Sequence, residues 1–215
     1  MLNWFRTRNV NARKAKELYG AVVAAARQPE FYREYGVPDT LNGRYEMIVL
    51  ALFQLLERLR AEGTAAEELS RLTLEAFFTD MDDCMREIGV GDLTVPKKVK
   101  KAAAGFYERT KTYRAALDAG DKAAMATAIE SFVTGQDVMS TDPQGQGKVQ
   151  ASIDAKPASV ASDSATSAPD TTASTAAPIS FDKLADHAFR QRDALAEANA
   201  ETVIAGQAFV TSFPM

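Results

Sequence analysis

The chain is poor in the residues that most often carry chemistry, with one histidine, one cysteine and one tryptophan. The lone cysteine, Cys84, excludes an intrachain disulfide and fits a reducing compartment. The lone histidine, His187, excludes the two Glu-x-x-His pairs of di-iron bundles, and no glutamate stands three residues before it. Long hydrophobic runs are missing as well. The most apolar stretch, "MIVLALFQLL" from Met47 to Leu56, is about half the length a helix needs to cross a bilayer. Arg44, Glu46, Glu57, Arg58 and Arg60 close it off, so no membrane span is expected. Neither sign of charge dominates. A net charge of −4 gives no general pull toward nucleic acid, and no DNA partner is expected. The start, "MLNWFRTRNVNARKAK", carries Arg6, Arg8, Arg13, Lys14 and Lys16 with no apolar segment behind them, so no signal peptide is expected.

What is present is helical periodicity, in a chain long enough to bury a core without staples. Leu18, Tyr19, Val22, Val23 and Ala26 share one face of a first helix over about 12–27. Pro29 can open a short second helix with the aromatics Phe31, Tyr32 and Tyr35, ended by Gly36 to Asp39. A third helix spans about 41–61, with Gly63 as its stop. A fourth covers about 65–88. A fifth starts near Thr94, a good N-cap residue. A sixth spans about 121–133, and a last one about 180–198. The expected class is all-α, a compact bundle of about six to seven helices with a disordered insert before the last. No internal repeat and no convincing strand alternation is visible.

The domain reading follows from composition. Residues 1–11 form a basic amphipathic arm, and 12–135 form the main helical domain. Residues 136–179 include "KPASVASDSATSAPDTTASTAAP", which has almost no large apolar side chain. Such a segment cannot bury enough surface to offset its ordering entropy, so it reads as a disordered linker. Its "GQGK" lacks phosphate-loop spacing. Residues 180–215 form a C-terminal helix and a tail laid on the main domain, the tail as an extended strip.

The third helix poses the main question. Tyr45, Ile48, Val49, Leu52, Leu55, Leu56 and Leu59 make its core face. Met47, Leu50 and Phe53 lie elsewhere on the wheel, among Glu46, Gln54 and Glu57. A helix apolar nearly all round is covered nearly all round. Either another helix of the bundle covers this second stripe, or a partner protein does.

Evidence for catalysis is absent from the residue pattern. Cys84 falls on the apolar face of its helix with no adjacent histidine to activate it. His187 reads as a surface residue. Neither a metal nor a cofactor is expected.

Surface charge is segregated. Glu68, Glu75 and Asp82 recur every seven residues on the polar side of the fourth helix. Lys97, Lys98, Lys100 and Lys101 crowd the start of the fifth, where cations oppose the helix dipole. Their position points outward, to phosphate of lipid head groups or RNA. Leu2, Trp4 and Phe5 beside Arg6 and Arg8 form a short amphipathic start of the kind that rests in a membrane interface.

Four segments together resemble the ubiquinol–cytochrome c chaperone family. They are Tyr35-Gly-Val-Pro-Asp39, Arg44-Tyr-Glu46 before the apolar helix, Phe78 to Asp82, and Val95-Pro-Lys-Lys98. The resemblance covers roughly 18–133 and resumes near Ala185; the long insert departs from it. It implies an all-helical, non-catalytic assembly factor for ubiquinol–cytochrome c reductase, respiratory complex III. The implied client is cytochrome b apoprotein, with the ribosome as a further candidate partner. The implied location is the cytoplasmic side of the inner membrane, peripheral to it. In this reading Met47, Leu50 and Phe53 supply a client groove, Glu68, Glu75 and Asp82 meet basic loops, and the lysines and N-terminal arm hold the membrane. The rivals are a ribosome-, RNA- or lipid-binding helical adaptor and a helical-bundle enzyme acting on a lipid or quinone.

Overall fold

Gly43 shows how closely the chain is packed around its central helix. A Cβ at this position would lie 2.0 Å from the Pro38 carbonyl oxygen, so only glycine lets the Val37-Pro38 turn fold back onto the helix it precedes. Thr40 fastens that start, its hydroxyl accepting the Gly43 N–H at 3.1 Å.

A computed structural model describes residues 2–135 and 180–208, with side chains from residue 10 onward except at position 65. Among these residues lie eight helical segments and no strand. They are α1 (Leu2–Ala26), α2 (Pro29–Arg33), α3 (Leu41–Ala61), α4 (Thr64–Glu87), α5 (Val95–Ala119), α6 (Lys122–Val133), α7 (Asp182–Glu197) and α8 (Ala200–Ile204). The fold is an all-α bundle. The expected linker, 136–179, lies outside the described residues, as does the end of the tail, 209–215.

Two boundaries differ from the sequence reading. The first helix begins at Leu2, so the basic arm is not a separate element but the first turns of α1. The tail does not open as an extended strip. Asn199 caps a short helix, its side chain accepting the Glu201 N–H at 2.9 Å. Gly206 follows at φ 73°, where a Cβ would stand 2.8 Å from that of Ala21. The C-terminal segment therefore rests on α1 by backbone approach.

Helix α3 is the hub. It packs against α1, α4, α5, α6 and α7, and α1 lies along α4. Val49, Leu52, Leu55 and Leu59 lose all contact with solvent. Each such residue contributes roughly 1.5–3 kcal/mol by burial. Phe77 of α4 joins this core to the rest, its ring near those of Tyr19, Tyr45 and Phe106. Asp121 caps α6 by accepting the Ala124 N–H at 2.9 Å. Thr94 stands ahead of α5 but makes no capping bond with its hydroxyl, contrary to the sequence expectation.

Candidate interaction surfaces

The second stripe of α3 is interior. Met47, Leu50 and Phe53 are 2 %, 5 % and 1 % exposed, and they give no groove at the surface of this bundle. The stripe runs against α5. Glu46 receives two hydrogen bonds from Arg109, from Nη2 at 2.6 Å and Nε at 2.7 Å. The Phe53 ring lies 5.6 Å from that of Tyr113. One turn on, Glu57 accepts from Arg114. The helical wheel located the stripe correctly but could not say what covered it. The bundle's own helices do.

The next stripe round meets α7. Gln54 donates to the Ala188 carbonyl at 3.0 Å. Arg58 donates to the Leu195 carbonyl at 2.7 Å and the Ala198 carbonyl at 3.1 Å, and so closes the C-terminal end of α7 from outside. Lys122 pairs with Asp186 at 2.6 Å. A cavity of about 460 Å³ opens at this seam between α3, α5 and α7, with Ala61, Leu117 and Leu195 on its apolar side. Its arginines are already engaged: Arg58 at α7, Arg114 at Glu57 and Arg192 at the Leu117 carbonyl.

Glu68, Glu75 and Asp82 reach solvent, but each has an arginine of its own helix as partner. Arg71 bridges Glu68 and Glu75. Arg86 bridges Asp82 at 2.6 Å and Asp92 at 2.5 Å. Exposed pairs of this kind contribute little stability. They do blunt the negative field that the sequence spacing suggested.

The start of α5 differs. Lys97, Lys100 and Lys101 are exposed, and among the described residues none of the three forms an ion pair; Lys98 is partly covered. Ahead of them stands Leu93, 91 % exposed. Sequence reasoning passed over Leu93, because one apolar residue in a turn has no period to betray it. Side chains of Leu2, Trp4, Phe5, Arg6 and Arg8 lie outside the described residues.

Known proteins resemble this chain across most of the bundle. The model of the ubiquinol–cytochrome c chaperone family matches residues 33–211. The chain belongs to the ubiquinol–cytochrome c chaperone family. The crystal structure of the Cbp3 homolog from Brucella abortus matches with a TM-score of 0.66 at 32 % identity, over 95 % of this chain and 93 % of that one. The ubiquinol-cytochrome-c reductase complex assembly factor 1 of Xenopus laevis is 21 % identical over 122 residues. That match spans 57 % of this chain and 61 % of the frog protein.

The family match takes in the Pro38–Gly43 packing, the Glu46–Arg109 pair and the lysine cluster, while the whole of α1 precedes it. The two side chains most suited to catalysis stand in settings that quiet them. Cys84 is partly buried. Burial, then the charges of Asp80 and Glu87, push its thiol upward, away from a nucleophilic thiolate. His187 is not a surface residue. It lies under α2, its ring edge-on to Phe31 at 5.3 Å and to Tyr35 at 5.7 Å. Burial, then the charge of Arg190, lower its pKa to about 4, which keeps the ring neutral. Among the described residues no group of three or more His, Cys, Asp or Glu side chains could hold a metal ion.

Proposed function

We propose that this protein is a non-catalytic assembly chaperone for ubiquinol–cytochrome c reductase, holding newly made cytochrome b apoprotein at the cytoplasmic face of the membrane. The family match over residues 33–211 carries the reading. The likeness to a reductase assembly factor supports the assembly role. Among the described residues no helix is long and apolar enough to cross a membrane. In this reading the bundle attaches at the membrane surface, with Lys97, Lys98, Lys100 and Lys101 facing anionic head groups. Glu68, Glu75 and Asp82 are the proposed contacts for basic loops of the client. Each can exchange its arginine on α4 for one on a partner at small net cost, because exposed pairs are weak.

Deletion of the gene, followed by reduced-minus-oxidised spectra of isolated membranes, tests the reading. The expected result is selective loss of cytochrome b absorbance with other cytochromes retained. An unchanged spectrum would refute it.

A further inference from the structure

The turn between α4 and α5 holds a leucine in water at apparent expense. Leu93 is 91 % exposed, the most exposed of the large apolar side chains described. The turn around it is tied down on both sides. Val90 and Val95 are buried on either side of it. The Thr94 and Val95 N–H groups both bond the Gly91 carbonyl, at 2.7 and 3.2 Å. Leu93 is thus presented on a hydrogen-bonded turn between two buried anchors. Ile88, 42 % exposed, precedes it in the same turn.

Behind this tip, cations line up along the outer side of α5. Lys97, Lys100 and Lys101 are exposed, and Lys100, Ala104, Tyr107 and Lys111 follow one another at helical spacing, all exposed. Glu108 is the acid on this stretch, and Glu87 stands at the end of α4. Asp92 shares Arg86 with Asp82, so the arginine offsets only one of these two negative charges. An apolar tip with three exposed lysines behind it matches the outer layers of an anionic bilayer surface, the edge of the acyl chains and the phosphates above them.

We propose that this corner is a lipid-docking wedge, in which Leu93 enters the head-group region of an anionic membrane and Lys97, Lys100 and Lys101 grip the phosphates around it. The proposal rests on the membrane-surface reading above and places its contact at the α4–α5 turn instead of the N-terminal turns of α1. An RNA site would share the lysines, but its outermost group would stack on bases, and an aliphatic side chain does not.

The test is co-sedimentation of the full chain with phosphatidylcholine vesicles, with and without phosphatidylglycerol. Leu93→Ser and the triple variant Lys97→Glu, Lys100→Glu, Lys101→Glu alter exposed positions, and thermal melts confirm that each stays folded. The wild type should bind only the anionic vesicles. Leu93→Ser should weaken binding about tenfold, the worth of one leucine leaving water. The triple variant should abolish sedimentation, since each lysine near an anionic leaflet contributes about fivefold. Unchanged binding by both variants would overturn the wedge and leave the membrane reading standing. No binding of the wild type to any vesicle would overturn both. Binding of a homopolymeric RNA that is lost in the lysine variant, with vesicle binding indifferent to Leu93, would overturn the wedge in favour of a nucleic-acid site.

Discussion

Glu46 of α3 and Arg109 of α5 face each other inside the bundle, joined by two hydrogen bonds of 2.6 and 2.7 Å. The third nitrogen of Arg109 donates to the Gly105 carbonyl at 3.0 Å, in space that a side chain at Gly105 would occupy. The guanidinium also lies 4.7 Å from the centre of the Phe132 ring. Burial pushes the Glu46 carboxyl upward, and Arg109 pulls it back toward the charged form. Two charges taken out of water are held because each satisfies the other. The pair ties α3 to α5, the helix that carries the lysine cluster, beside Phe132 of α6.

Removing one member strands the other. Arg109→Met leaves a buried carboxylate without its donors and should cost about 3–5 kcal/mol. The double variant Glu46→Leu, Arg109→Met should recover most of that loss, since no buried charge then remains. Urea unfolding of the two variants and the wild type measures both steps. A double variant no more stable than Arg109→Met would show that the pair is not the source of the cost.

Leu50→Ser with Phe53→Ser distinguishes a groove from a core. Both side chains are interior, and truncating a buried phenylalanine alone costs about 3–5 kcal/mol. The double variant should lose its cooperative thermal transition, as circular dichroism would record. A well-folded variant that fails only in client capture would return these residues to the surface role that the helical wheel allowed them.

The burial of His187 makes stability depend on pH. The unfolded imidazole titrates near 6.5 and the folded one near 4. Between those values the unfolded chain binds a proton that the folded chain does not, so stability falls as pH drops from about 6.5 to about 4. The loss reaches roughly 3 kcal/mol and levels off below that window. Replacement by phenylalanine, His187→Phe, should flatten this part of the profile. Urea midpoints measured at pH 7 and pH 4.5 compare the slopes. Parallel profiles for wild type and variant would exclude His187 as their origin.

Much of the helical framework is legible in the order of residues along the chain. The α3 boundaries follow from its apolar spacing and the break at Gly63, and the helix runs from Leu41 to Ala61 as that reading has it. The α4 and α6 boundaries follow from the same local grammar of apolar spacing, caps and glycine. The sequence reading starts α1 ten residues late, because polar and charged residues separate Leu2, Trp4 and Phe5 from the apolar face that begins at Leu18. Leu93 escapes a sequence reading because a single residue in a turn has no pattern; His187 stands at the spacing of Leu184, Ala188 and Leu195, and only its polar side chain argued for the surface.

The sequence by itself determined that this is a helical protein of the chaperone family, where most of its helices lie and how few histidines and cysteines it holds. Each of those properties is local, or resides in motifs short enough to read along the chain. Only the tertiary structure decided that the second stripe of α3 meets α5 and the next one α7, that Glu46 answers Arg109, and that Leu93 is left facing water. Those outcomes depend on which helices meet and at what angle. Glu46 and Arg109 stand 63 positions apart, and Gln54 and Ala188 stand 134 apart. No periodicity within one helix specifies the face of another.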